Sequence, residues 1–108
     1  MRIDKQKIVD YLLNHEKSRG KAAFFIALGF DMANWEVLEK ALRQQAEVGT
    51  ISGSVETLYG KKYTVDGPLE TPDYRNPMPW VRTVWVEEPS SVQWRFITAY
   101  PLKRRSYD

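Results

Sequence analysis

A chain of 108 residues that is 43% hydrophobic is long enough to bury one core and too short for two, and its 16 Lys and Arg against 14 Asp and Glu leave a net charge of +2, milder than a dedicated nucleic-acid scaffold carries. With no cysteine and one histidine it has no disulfide, thiolate metal site, cysteine nucleophile or multi-histidine zinc site, so neither a metal nor a cofactor is expected. No apolar run reaches the length of a membrane span, and residues 1–7 are too polar to lead into an export signal, which makes a cytoplasmic setting the expectation.

Asp4 precedes Ile8, Tyr11 and Leu12 at helical spacing, and an aspartate there suits an N-cap, so a first helix is expected over about 4–14. The polar stretch Asn14-His-Glu-Lys-Ser-Arg-Gly20 breaks that pattern. Lys21-Ala-Ala-Phe-Phe-Ile-Ala-Leu28 then forms a short, mostly buried second helix, closed by Gly29 in a left-handed cap. Asn34 is positioned to cap a third helix over 35–47, with Glu36 in its first turn, an inward stripe of Leu38, Ala41 and Leu42, and Gly49 as its stop.

From Ile51 the period changes from 3.6 to 2, with β-branched and aromatic residues in short runs. Strands over 51–58 and 62–66 flank a turn at Tyr59-Gly60-Lys61, where glycine supplies a positive φ. Gly67-Pro68 predicts a bulge or kink, and Pro72-Asp73 with Asn76-Pro77-Met78-Pro79 predicts an irregular loop. The last two strands, Val81-Arg-Thr-Val-Trp-Val-Glu87 and Trp94-Arg-Phe-Ile-Thr-Ala-Tyr-Pro101, form a hairpin turning at Pro89-Ser90-Ser91. The expected fold is α+β over residues 1–102, three helices packed on one face of an antiparallel sheet of about four strands, with 103–108 a basic C-terminal tail. Residues 34–47 are acid-rich. Lys61-Lys62, Arg75, Arg82, Arg95 and Lys103-Arg104-Arg105 concentrate positive charge in the second half.

Several blocks together, Lys7-Ile-Val-Asp-Tyr-Leu-Leu-Asn14, Gly20-Lys-Ala-Ala-Phe-Phe-Ile-Ala-Leu-Gly-Phe30, Tyr59-Gly60, Gly67-Pro-Leu-Glu-Thr-Pro-Asp73, Val81-Arg-Thr-Val-Trp85 and Arg95-Phe-Ile-Thr-Ala-Tyr-Pro101, resemble a bacterial domain family that carries only a numbered unknown-function designation. Such domains are similar to the tail modules of bacterial polymorphic toxins. The order of helices before a sheet ending in a Thr-Ala-Tyr-Pro strand resembles the barnase, EndoU, colicin and RelE-like (BECR) ribonucleases. The chain departs from the family pattern at His15, where proline is frequent, and at Tyr74, where glycine is frequent. The resemblance implies a metal-independent endoribonuclease of toxin type, acting on RNA and neutralised by a cognate antitoxin or immunity protein.

Metal-free RNA cleavage needs a base for the 2′-hydroxyl, an acid for the leaving oxygen, and donors around the pentavalent phosphate. The catalytic candidates are His15, the one side chain that titrates near neutrality unperturbed, Lys21 at a helix N-terminus that favours an anion, and Arg82 with Thr98. A hairpin turning near residue 90 makes Arg82 and Thr98 cross-strand neighbours. A one-residue shift would instead pair Thr83 with Thr98. Arg19 and Arg95 are candidate phosphate contacts, and Trp94 and Tyr100 candidate platforms for bases. Each has a plainer reading: loop cations and a loop histidine that solvate the surface, an arginine paired with a carboxylate, aromatic rings that fill the core, as expected of Trp85 and Phe96. The competing function is a non-catalytic protein-binding module, such as the partner or inhibitor in a toxin–antitoxin pair.

Overall fold

Gly49 is where helix gives way to sheet, because backbones meet there: a Cβ on it would stand 2.7 Å from the Gln45 carbonyl and 2.8 Å from that of Asp66, and one on Gly67 would stand 2.9 Å from the Gly49 Cα. The computed structural model describes residues 1–90 and 93–103. Ahead of that junction come α1 (Lys5–Lys7), a π-helical turn (Ile8–Leu12), α2 (His15–Ser18), α3 (Gly20–Ala27) and α4 (Trp35–Val48); after it come β1 (Thr50–Thr57), β2 (Gly60–Pro68), β3 (Trp80–Glu87) and β4 (Trp94–Pro101). The strands form one antiparallel meander in the order β1-β2-β3-β4.

Residues facing each other across an antiparallel ladder point to the same side. Val65, Thr83 and Ala99 are therefore on one face, and all are fully buried. Val65 and Ala99 belong to one buried cluster with Leu38, Ala41 and Leu42 of α4, Phe25 of α3, Ile8, Leu12, Trp85 and Phe96. Between α4 and the sheet lies a buried amide: Gln45 Nε2 donates to the carbonyls of Val65 and Val81, both at 2.9 Å, and Thr83 Oγ1 donates to Gln45 Oε1 at 2.8 Å.

The N-terminal helices differ from the single helix expected over 4–14. A π-turn replaces its middle, with the Leu13 amide donating to the Ile8 carbonyl at 2.9 Å. The wider turn lets Ile8, Leu12 and Leu13 all face inward, at 0, 0 and 2% exposure. The expected break over 14–20 contains the one-turn α2, because Asn14 Oδ1 accepts from the amides of Glu16 and Lys17. Neither Asp4 nor Asn34 caps with its side chain; the Asn34 amide is held instead by Asp31 Oδ1.

Gly29 and Gly60 have the positive φ expected, 101° and 129°. Gly67 and Pro68 do not bulge; they pair with Val81 and Trp80. The β1 ladder ends at Asp66, so the missing Pro68 amide leaves no gap on that side. The bulges lie between Ile51 and Gly53 and between Val84 and Trp85. Of the expected last turn, Ser91 lies outside the described residues, as do Arg104 and Arg105 of the basic tail. Among the described residues no helix is long and apolar enough to cross a membrane.

Candidate functional site

The bulge in the last hairpin decides which side chains meet. Ile97 is the extra residue, so Val84 faces Thr98 and Arg82 faces Tyr100. Arg82 and Thr98 are thus not direct cross-strand partners, and Thr83 does not pair with Thr98: it faces Ala99 on the buried side. The register is displaced by two positions rather than one, which keeps Arg82, Thr98 and Tyr100 on the face away from α4.

Helix α3 reaches the rim of that face. Lys21 Nζ donates to the Tyr11 hydroxyl at 2.7 Å and to Thr98 Oγ1 at 3.3 Å, and lies 6.0 Å from the centre of the Tyr100 ring. Thr98 Oγ1 approaches the Tyr11 hydroxyl at 3.5 Å. With the Lys21 hydrogen bond foremost and that of Thr98 second, the Tyr11 phenol is held below its ordinary value, against the opposing effect of burial. Next along the face, Arg82 grips Asp66 through two nitrogens, at 2.6 and 2.8 Å. That carboxylate, and after it the Tyr100 hydroxyl, hold the guanidinium still further above its ordinary value. Ser52 Oγ donates to Asp66 at 3.1 Å, closing the chain of polar contacts toward β1.

The arrangement is a half-buried cluster of two phenols, an ammonium, a hydroxyl and a neutralised guanidinium at the edge of the sheet face away from α4. It offers an acceptor of reduced basicity in Tyr11, a cation held between two hydroxyls in Lys21, and hydroxyl donors in Thr98 and Tyr100. Arg82 is already paired bidentately, so its part is to hold Tyr100 rather than to present a free charge.

The remaining candidates lie apart from this cluster. His15 is exposed at the start of α2 and its side chain has no hydrogen bond or ion pair among the described residues. Arg19 is exposed between α2 and α3 with a backbone φ of 46°. Arg95 pairs with Glu88 at 2.7 Å. Trp94 stacks on Tyr63 with centroids 4.5 Å apart and packs on the core, so its ring is engaged within the fold. Trp85 and Phe96 are core, as expected. Two residues of the cluster escaped the sequence reading: Tyr11, whose spacing with Ile8 and Leu12 marks a buried stripe, and Asp66, whose partner depends on strand register. Among the described residues no group of three or more His, Asp or Glu could hold a metal ion.

Fold and cluster together define a small α+β domain built on one open antiparallel sheet, with its polar centre where the N-terminal helices meet the last strand. The chain belongs to the family described as a domain of unknown function, DUF6883, which it matches over residues 1–103. Its fold is similar to that of a chain in the contact-dependent growth inhibition toxin–immunity protein complex from Klebsiella pneumoniae 342, with a TM-score of 0.73 at 16% identity, covering 94% of this chain and 93% of that one. No curated protein matches it.

Proposed function

We propose that the protein is a metal-independent endoribonuclease of a bacterial toxin–immunity system, and that the Tyr11–Lys21–Thr98–Tyr100 cluster is its active site. The observation that carries this reading is the Lys21 ammonium set between the Tyr11 and Thr98 hydroxyls, 2.7 and 3.3 Å away. Tyr11 takes the proton of a ribose 2′-hydroxyl; the 2′-oxygen attacks phosphorus and the bond to the 5′-oxygen breaks. Lys21 and Thr98 carry the charge gathering on the phosphate oxygens, and Tyr100, oriented by Arg82, gives its proton to the departing 5′-oxygen. The toxin-system part of the reading is supported by the fold likeness to a chain of a toxin–immunity complex.

The test is incubation of the purified protein with tRNA and total RNA in EDTA. Cleavage by the wild type and its loss in Tyr11→Phe and Lys21→Ala are expected; RNA left intact at micromolar protein sinks the proposal. One observation favours a second reading, the non-catalytic partner: every residue of the edge strand β1 is exposed, leaving a row of backbone donors and acceptors open to another strand. Expressing the chain alone separates the two readings. Growth arrest relieved by the neighbouring gene supports the toxin, and unimpaired growth supports the partner.

A further inference from the structure

Residues 69–79, between β2 and β3, form a loop that is built rather than loose. The Leu69 amide donates to the Pro79 carbonyl at 2.8 Å across its base. Inside, the buried Thr71 hydroxyl donates to Asp73 at 2.6 Å and accepts from the Arg75 amide at 2.9 Å, and the Tyr74 amide donates to the Thr71 carbonyl at 3.0 Å. Arg75 ties the loop to the end of α3 through the Ala27 carbonyl at 3.5 Å and pairs with Asp73 at 3.3 Å.

The product of this scaffolding is Tyr74, held with φ at 52° and 80% exposed. A bulky residue in the left-handed region is strained, and among the described residues its ring meets no aromatic or cationic partner. The loop's own hydrogen bonds hold that strain and present the ring to solvent. Tyr74 forms a ridge between two hollows: one of about 440 Å³ against α4, lined also by Val37, Lys40 and Gln44, and one of about 230 Å³ toward Met78. Val37 and Met78 are 45 and 42% exposed, so apolar surface continues on both sides of the ring.

Charge decides the class of ligand. Lys40 and Glu70 both line the larger hollow, and neither is ion-paired among the described residues; Asp73 and Arg75 beside them cancel. A surface of balanced sign lacks the positive field that phosphate backbones require. A rigid aromatic flanked by methionine, valine and two unpaired opposite charges has the composition of a protein interface.

We infer that the Tyr74 ridge is the docking site for a protein partner, which encloses the ring in an apolar cleft and sets a carboxylate over Lys40 and a cation over Glu70. The probe is the product of the adjoining gene, its identity as partner resting on the toxin–immunity reading. This surface is separate from the Lys21 cluster, so binding and RNA cleavage are read independently.

Affinity of the purified neighbour protein is measured for wild type, Tyr74→Gly, Tyr74→Phe and Lys40→Glu, alongside melting temperature and cleavage of tRNA. Tyr74→Gly is expected to weaken binding by about thirtyfold or more, the effect of losing a central aromatic anchor. The same change leaves RNA cleavage unchanged and raises the melting temperature, because glycine tolerates the backbone, so a loss of binding cannot be a loss of fold. Tyr74→Phe keeps most of the affinity, and Lys40→Glu weakens it. Binding within threefold of wild type in Tyr74→Gly, or no complex with the wild-type chain, overturns the inference. If tRNA stays intact while the complex forms and depends on Tyr74, the docking site stands and the ribonuclease reading falls.

Discussion

Lys21 Nζ stands 2.7 Å from the Tyr11 hydroxyl, the Thr98 hydroxyl lies 3.5 Å from the same oxygen, and both are placed to donate to it. Negative charge on Tyr11 is favoured by both, which is why its phenol is held below the ordinary value of 10.0. If the phenolate is the base, the rate of RNA cleavage rises with pH and levels off at the folded Tyr11 value, below 10.0. Lys21→Ala removes the largest cause of the lowering, so the rising limb moves to higher pH and the rate at neutral pH falls by roughly a hundredfold or more. Tyr11→Phe abolishes the limb. Initial rates across alkaline pH check this, and an unmoved limb in Lys21→Ala would show that the base is another group.

Asp66 and Arg82 bind through both nitrogens at 2.6 and 2.8 Å, with 22 and 32% of their side chains exposed. Arg82→Ala leaves the carboxylate without its main partner and is expected to cost about 1–3 kcal/mol in urea unfolding. The pair also sets an acid dependence. The Asp66 carboxyl is lowered chiefly by Arg82, against burial and with help from Ser52, so its contribution is whole above the unfolded value of 3.8 and fades as pH falls through the lower folded value. Asp66→Asn should therefore narrow its stability deficit relative to wild type on acidification below that window. A deficit that stays constant with pH would mean that the ion pair adds nothing to the fold.

The sheet and α4 could be read from periodicity alone, because their apolar residues recur at 2 and 3.6 and Gly49 ends the helix. The candidate cluster could be read only in part. Lys21, Thr98 and Tyr100 carry chemistry in their side-chain types, but what brings them together is geometry without a local signal. The bulge at Val84 and Trp85 determines that Arg82 faces Tyr100, and no residue around Ile97 announces it. Tyr11 was hidden by the π-turn, which alters the helical phase so that Ile8, Leu12 and Leu13 fill the core while Tyr11 keeps its hydroxyl at the β4 rim. The departure expected at Tyr74 acquires a physical meaning only with the backbone in view, since φ there is 52°.

Gln45 is 1% exposed and all its polar atoms are occupied: it donates to the Val65 and Val81 carbonyls and accepts from Thr83, whose hydroxyl in turn accepts from the Trp85 indole at 2.8 Å. Gln45→Leu keeps the volume and strands two carbonyls and a hydroxyl in the core. A loss of about 2–4 kcal/mol is expected, from buried polar groups left without partners. Gln45→Glu adds a buried charge facing two carbonyls and should be worse. Urea midpoints at neutral pH rank the three proteins, and a Gln45→Leu chain as stable as wild type would show that the network is dispensable.

Arg19 joins α2 to α3 with φ at 46° and ψ at −102°, a conformation that glycine accepts and arginine does not. Its side chain is exposed and makes no ion pair among the described residues, so the strain is not offset by a contact within the fold. Arg19→Gly is expected to stabilise the protein by about 1 kcal/mol. The same change removes a cation two residues before Lys21. If Arg19 contacts an RNA phosphate, affinity falls at low salt and the slope of log affinity against log salt loses about one unit. Thermal unfolding and salt-dependent binding of a catalytically silent Tyr11→Phe background measure both effects on one protein. A gain in stability with unchanged RNA affinity removes Arg19 from the binding surface and leaves its backbone unexplained by phosphate contact.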